Sequence, residues 1–216
     1  MRKWLEKIKA QAEHAMAAES VEVDYSRFND EFSRRVAWTP LKSGGTNFGT
    51  HYLTQPESGG RMLVFKASKG GMAFALLFLL IGLATVVFML WQIITGQGFQ
   101  LLFVGLLIGL PFSVAGLFLV YWIARPRVFD LVNREFYCGF RKPEAAKLTN
   151  LKRVKALQLI TENVKSSKSR YSSYEINLIL EDTTRVNVVD HGNYERILLD
   201  AEELAKALHI PLWDNS

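Results

Sequence analysis

Residues 72–124 read MAFALLFLLIGLATVVFMLWQIITGQGFQLLFVGLLIGLPFSVAGLFLVYWIA, and this stretch decides what kind of fold the chain has. It contains no charged side chain. Only the TGQG of residues 95–98 interrupts the apolar run, which divides into segments 72–94 and 99–124. A helix as long as the first segment rises about 34 Å at roughly 1.5 Å per residue, against a hydrocarbon core of about 30 Å. Fourteen of the residues 72–94 are Leu, Ile, Val or Phe. Each favours insertion by roughly 0.3–0.6 kcal/mol, which outweighs Gln92 near the segment's end. Buried helices of soluble proteins are usually shorter and keep a polar face. The expectation is therefore a transmembrane hairpin, spans 72–94 and 99–124 joined by a periplasmic loop 95–98.

Flanking charge orients the hairpin. Arg61, Lys66 and Lys69 precede the first span, Arg125 and Arg127 follow the second, and no Lys or Arg lies between. The positive-inside bias then puts both termini in the cytoplasm of a bacterial inner membrane. Trp91 is placed at the far interface and Tyr121 and Trp122 at the near one, as interface anchors. The first apolar run lies too far along the chain to read as a cleaved signal peptide. The single cysteine, Cys138, falls on the cytoplasmic side, where a reducing compartment keeps it a thiol.

The formal net charge of +5 is distributed unevenly. Residues 125–170 carry 12 basic and 4 acidic side chains, whereas 171–216 carry 3 basic and 9 acidic. The basic part adjoins the second span. Contact of Lys66, Lys69, Arg125 and Arg127 with anionic lipid headgroups is one reading of it, at about 1 kcal/mol per cation; the ordinary positive-inside bias is the other. Nucleic acid is not an expected partner, because the basic residues lack the interleaved aromatics of a stacking groove.

Outside the spans, residues 1–19 have the periodicity of an amphipathic helix, with Trp4, Leu5, Ile8, Ala12 and Ala15 on one stripe. Residues 20–71 form a cytosolic segment that ends in a hairpin, NFGTHYLT turning at QPESGG into RMLVFKA. Strand-like alternation returns in 125–216 as RVFDLV, EFYCGF, VKALQLI, YEINLIL and RVNVVD, with SSKSRYSS read as a solvated loop. Tyr194 to Leu208 then repeats apolar residues at spacings of three and four, an amphipathic helix closed by Pro211. The fold class predicted is membrane α+β: a two-helix transmembrane hairpin inserted before an antiparallel sheet capped by a C-terminal helix. Because both flanks of the hairpin emerge on one side, the strands before it are expected to join the sheet built after it.

Three motifs invite chemistry. Asp190-His191-Gly192-Asn193 is conceivable as a catalytic or metal site with His51 or Cys138 as partners, but no ligand or nucleophile spacing accompanies it. Every residue except His191 has a structural role. The strand ends at Val189, Gly192 supplies a turn with positive φ, and Asn193 caps the following helix. SGGTNFGTH, residues 43–51, is Gly-rich but lacks the Lys-Ser/Thr of a phosphate loop, so a turn is expected. Gly105 and Gly109 form GxxxG, which lets helix backbones approach closely, either between the two spans or toward a partner's span. Pro111 is expected to bend that helix. No catalytic residue, cofactor ligand or metal ligand is assigned.

The order of elements after Arg125 resembles the small PH-like domains that bacteria attach to paired transmembrane helices. The plan over roughly 72–208 is also similar to that of a photosystem assembly factor. The segments SYEINLILED, RVNVVDHGN and DAEELAKALHIPLWD resemble a family of uncharacterised proteobacterial inner-membrane proteins. That resemblance implies a PH-like cytosolic domain in 125–216 and brings no assigned activity. The function expected is that of a non-enzymatic accessory subunit or assembly factor, docking a larger membrane protein complex or its own copies. The alternatives are an anionic-lipid-binding surface module, with membrane lipids as partners, and a membrane-associated hydrolase using His191.

Overall fold

The computed structural model describes residues 23–41, 44–54, 60–96, 103, 105–165 and 170–216. The expected helix at 1–19 and the second half of the loop 95–98 lie outside the described residues. Nine strands and three α-helices are formed among those described: β1 His51–Thr54, β2 Met62–Ala67, α1 Lys69–Ile94, α2 Leu110–Ala124, β3 Arg127–Asp130, β4 Glu135–Cys138, β5 Thr149–Asn150, β6 Val154–Lys165, β7 Arg170–Leu180, β8 Arg185–His191, α3 Tyr194–Leu208 and β9 Leu212–Asn215.

The helix pair interrupts a sheet. β2 ends at Ala67, Ser68 caps α1, and only Arg125 and Pro126 separate α2 from β3. Across this insertion β2 pairs antiparallel with β3, Phe65 opposite Arg127 and Leu63 opposite Phe129. The strands before the helices therefore belong to the same five-stranded sheet, ordered β1-β2-β3-β4-β5, as those after them.

A second sheet, ordered β8-β7-β6-β9, differs from the single sheet expected. A 3-10 turn at Leu151–Arg153 carries the chain from β5 into β6 and out of the first sheet. The polar run SSKSRYSS is partly strand, since β7 begins at Arg170. β9 runs parallel to β6, which requires a crossover, and α3 supplies it. A four-residue strand this close to the chain's end gives little periodicity to read.

The two sheets share one core. Leu63, Phe65, Phe129 and Phe136 of the first meet Leu157, Leu159, Ile176, Leu178, Val188 and Val189 of the second, and Ile197, Ala201 and Leu204 of α3 pack onto them. Alternate residues of β6 and β7 face the other way, where Ala156, Ile160, Ile179 and Trp213 form a smaller core with Val36 and Trp38. The segment before β1 covers this outer face through two 3-10 turns, Tyr25–Arg27 and Glu31–Arg35. Phe28 stacks on Trp38 with centroids 4.8 Å apart. Polar groups latch the strap down: the Glu175 carboxylate accepts from the Leu41 amide at 3.0 Å, Gln158 donates to the Ala37 carbonyl at 3.1 Å, and Arg185 donates to the Thr39 carbonyl at 2.6 Å.

α1 and α2 run antiparallel, side by side. Gly71 lies beside Ile123, Gly82 against the Ser113 backbone, Gly116 against the Leu79 backbone and Gly109 against Val86. At Gly82 and Gly116 the missing Cβ is what lets the backbones approach. Gly105 sits against Met89, so both glycines of the GxxxG face α1. Residues Gly105–Gly109 form a π-helical turn, just before Pro111. Pro111 has no N–H to donate to the Leu107 carbonyl, and the wider turn, rather than a simple bend, takes up that missing bond. α1, and α2 taken together with its π-helical turn as Gly105–Ala124, are long and apolar enough to cross a bilayer, and most of their apolar surface is bare.

Candidate functional site at the foot of the helix pair

The base of the helix pair is fastened to both sheets by a small set of polar groups. The Ser68 hydroxyl accepts from the Gly71 amide at 2.9 Å, which caps α1, and donates to the Gly49 carbonyl at 2.5 Å. Thr50 donates through its hydroxyl to the Asp190 carbonyl at 3.1 Å. Gly49 forms an isolated antiparallel bridge with His191, which ties the approach to β1 to the end of β8.

Arg127 of β3 reaches across this junction. Its Nε donates to the Val188 carbonyl at 2.6 Å, and its Nη1 contacts Nε2 of His51 at 2.5 Å. His51 is 1% exposed. Burial and then the Arg127 guanidinium push its pKa down to about 4, with the backbone at Arg125 and Ile123 pulling the other way and His191 adding to the depression. His191 is also held below its ordinary value, chiefly by burial. Its Nδ1 lies 3.0 Å from both the amide and the carbonyl of Asn193, accepting from one or donating to the other according to tautomer. Its Nε2 points at Gly49, where a Cβ would come within 2.5 Å of it.

The Asp190–Asn193 stretch is a strand-to-helix junction. β8 runs through His191, two residues beyond the expected end at Val189. Asn193 caps α3, its side chain accepting from the Arg196 amide at 2.9 Å. Gly192 is required for a reason other than the positive φ expected of it. Its φ is ordinary, and a Cβ there would collide with the backbone of Asn47 and Phe48. The Gly-rich 43–51 stretch does bind an anion, but one of the chain's own: the amides of Gly44 and Gly45 donate to the Glu162 carboxylate at 2.8 and 3.0 Å.

On the outer side of Arg127 a cleft opens between the β3–β4 hairpin and β8. Its inner part, about 160 Å³, is lined by Trp122, Arg125, Arg127, Cys138, Asn187 and Val188. An adjoining part of about 440 Å³ shares Arg125, Cys138 and Asn187 and adds Tyr137, Lys147 and Thr149 among others. None of the lining residues is acidic. Arg125 lies over the rings of Tyr121 at 5.8 Å and Trp122 at 6.0 Å, both exposed on the last turn of α2.

Of the residues singled out in the sequence, Arg125 and Arg127 thus line this cleft, while Lys66 and Lys69 are exposed outside it. Trp91 is 66% exposed near the opposite end of α1. His51, His191 and Cys138 converge on Arg127, each within its electrostatic reach or that of His51. Lys147, Asn187, Tyr137 and Thr149 were not legible as a set, because they come from β4, a 3-10 turn at Ala145–Lys147, β5 and β8, which lie apart in the chain and in two different sheets. Among the described residues no group of three or more His, Cys, Asp and Glu side chains is arranged to hold a metal ion. Comparison with protein-family models, with curated proteins and with solved structures finds no match to this chain.

Proposed function

We propose that this chain is a non-enzymatic two-span protein of the bacterial inner membrane, whose PH-like cytosolic domain serves as an accessory or assembly module of a larger membrane protein complex. The observation that carries the reading is the pairing of β2 with β3 across the helix pair. With one residue between β2 and α1 and two between α2 and β3, there is no linker in which the domain could swivel. The domain is held at a fixed height and angle to the helices, as docking against a membrane-embedded partner demands.

Insertion is supported by the placing of the aromatic anchors. Gly71 stands level with Ile123, so Trp91 lies 20 residues up α1 from the level of Trp122, about 30 Å at roughly 1.5 Å per residue and the thickness of a hydrocarbon core. Two sheets around one core, with α3 packed onto them, support the PH-like reading. His191 supports a structural role over hydrolysis, since Nδ1 is taken by Asn193 and Nε2 is packed against Gly49.

The test is affinity capture of the tagged chain from native membranes in mild detergent, followed by native mass measurement. Recovery of one stoichiometric membrane complex is expected. Recovery of the chain alone, in any oligomeric state, sinks the accessory role. Cys138, the one cysteine and an exposed one, checks orientation: a membrane-impermeant maleimide should label it in inside-out vesicles and not in intact cells.

A further inference from the structure

We infer that the cleft between the β3–β4 hairpin and β8 is a binding site for the phosphate of an anionic phospholipid headgroup in the cytoplasmic leaflet. The inference rests on the proposed insertion of the helix pair and goes beyond partner docking.

Three features converge on it. The first is charge: Arg125, Arg127 and Lys147 line a cleft to which no acidic side chain contributes. The cations of the neighbouring surface are often spoken for. Lys142 pairs with Glu135, Arg153 with Asp182 and Lys155 with Glu181, whereas Arg125 and Lys147 make no ion pair among the described residues. The second is donor chemistry. Thr149 offers a hydroxyl, and Asn187 the amide N–H that it does not give to the Asp190 carboxylate, beside the Arg125 guanidinium, whose planar fork matches two phosphate oxygens. Arg127 is committed to the Val188 carbonyl and His51 and supplies fixed positive charge, not a free fork.

The third feature is depth. Arg125 directly follows the last residue of α2, and Trp122, one turn earlier, forms the wall on the helix side. With α2 in a bilayer, the mouth of the cleft lies where lipid phosphates lie, and Trp122 and Tyr121 sit beside the glycerol and upper acyl chain. The inner volume of about 160 Å³ is below that of a pocket for a drug-sized ligand but holds several waters' worth of space, enough for a phosphate group. The adjoining 440 Å³ receives the remainder of the headgroup.

A soluble phosphate compound would offer the same chemistry, so the experiment separates the two sources. The full chain is purified in detergent micelles containing equal phosphatidylglycerol and phosphatidylcholine, and retained lipids are counted by native mass spectrometry. Wild type should retain phosphatidylglycerol over phosphatidylcholine by about thirtyfold, the combined effect expected of two interfacial cations. Arg125→Gln with Lys147→Gln should bring the ratio close to one. The exposed Lys147→Glu, which leaves the Arg125 stacking intact, should lower it alone. Lys66→Gln with Lys69→Gln, on the same foot but outside the cleft, should lower it far less than the cleft variants do. An unselective wild type, a cleft variant that keeps its preference, or an equal loss in the Lys66/Lys69 variant overturns the site. Displacement of the lipid by millimolar inorganic phosphate overturns the lipid as its source. Cys138 labelling reports insertion separately, so a failure of the topology is distinguishable from a failure of the site.

Discussion

At neutral pH His51 is uncharged, as its surroundings favour, whereas Asp200 is ionised against the effect of its burial. Burial and Arg127 push His51 down to about 4, and burial raises Asp200 to about 6 although it accepts from the Leu53 amide and pairs with Arg196. For His51 the unfolded chain binds the extra proton between about pH 6.5 and 4, so its contribution to stability is complete above that window and lost as pH falls through it. For Asp200 the folded chain binds the extra proton between about pH 3.8 and 6, so its contribution is present at low pH and lost as pH rises. Each amounts to about 2 kcal/mol between pH 7 and 4.5, with opposite signs, so the two nearly cancel. His51→Gln should therefore gain about 2 kcal/mol relative to wild type on acidification, and Asp200→Asn should lose about as much. Thermal unfolding of each variant at the two pH values checks this, and slopes parallel to wild type would refute it. The Asn193 cap was readable because a cap is a local arrangement of a few residues. The meeting of His51 with Arg127 and His191 was not, because it depends on registers between strands up to 140 residues apart.

Elements that are long and uniform announced themselves, and those made by long-range packing did not. α1 and α2 followed directly from an uncharged apolar run, and α3 from its apolar spacing. The strap over residues 23–41 could not be read, since its 3-10 turns have no period and its partners, Glu175, Gln158 and Arg185, lie far along the chain. Trp38 is the anchor of that strap, stacked on Phe28 and buried against Trp213. Trp38→Ala should cost about 3–5 kcal/mol and open the 23–41 segment to protease before the rest of the chain. Limited proteolysis with mass readout checks this; cleavage unchanged from wild type would deny the strap its anchor. Within the helix pair, Gly116 meets the Leu79 backbone, which cannot give way as a side-chain tip can. Gly116→Leu should destabilise the pair by about 1–3 kcal/mol, seen as a lower melting temperature in detergent. The same substitution at Gly70 of α1, where a Cβ would meet no described atom within 4 Å, should be less costly to packing.

Across the molecule, the helix pair and the main core of the sheets are distinct, joined by the polar contacts at the foot. The main core is made of residues from the two sheets, α3 and the 3-10 turn at Leu151, with none from α1 or α2. Replacing residues 69–124 by a short Gly-Ser turn should therefore leave a water-soluble domain that unfolds cooperatively, tested by circular dichroism and calorimetry. A molten or insoluble product would mean that the helix pair is part of the fold's minimum, through Ser68, Gly71 and Ile123 at its base. The mixed α+β class and the sheet joined across the helices were legible in the sequence; the division into two sheets was not, because nothing in residues 148–156 marks where the chain leaves one for the other. The pairing of β2 with β3 also imposes an order on biogenesis. Under the proposed insertion, β2 leaves the ribosome first and must wait, paired with β1 alone, while two apolar helices are made and inserted before β3 exists. If only one helix crosses, β2 and β3 are stranded on opposite faces of the bilayer and the sheet cannot close. With the helix pair inserted as proposed, completion of the domain would be a proofreading step on membrane topology, a misinserted chain exposing an open sheet edge to quality-control proteases.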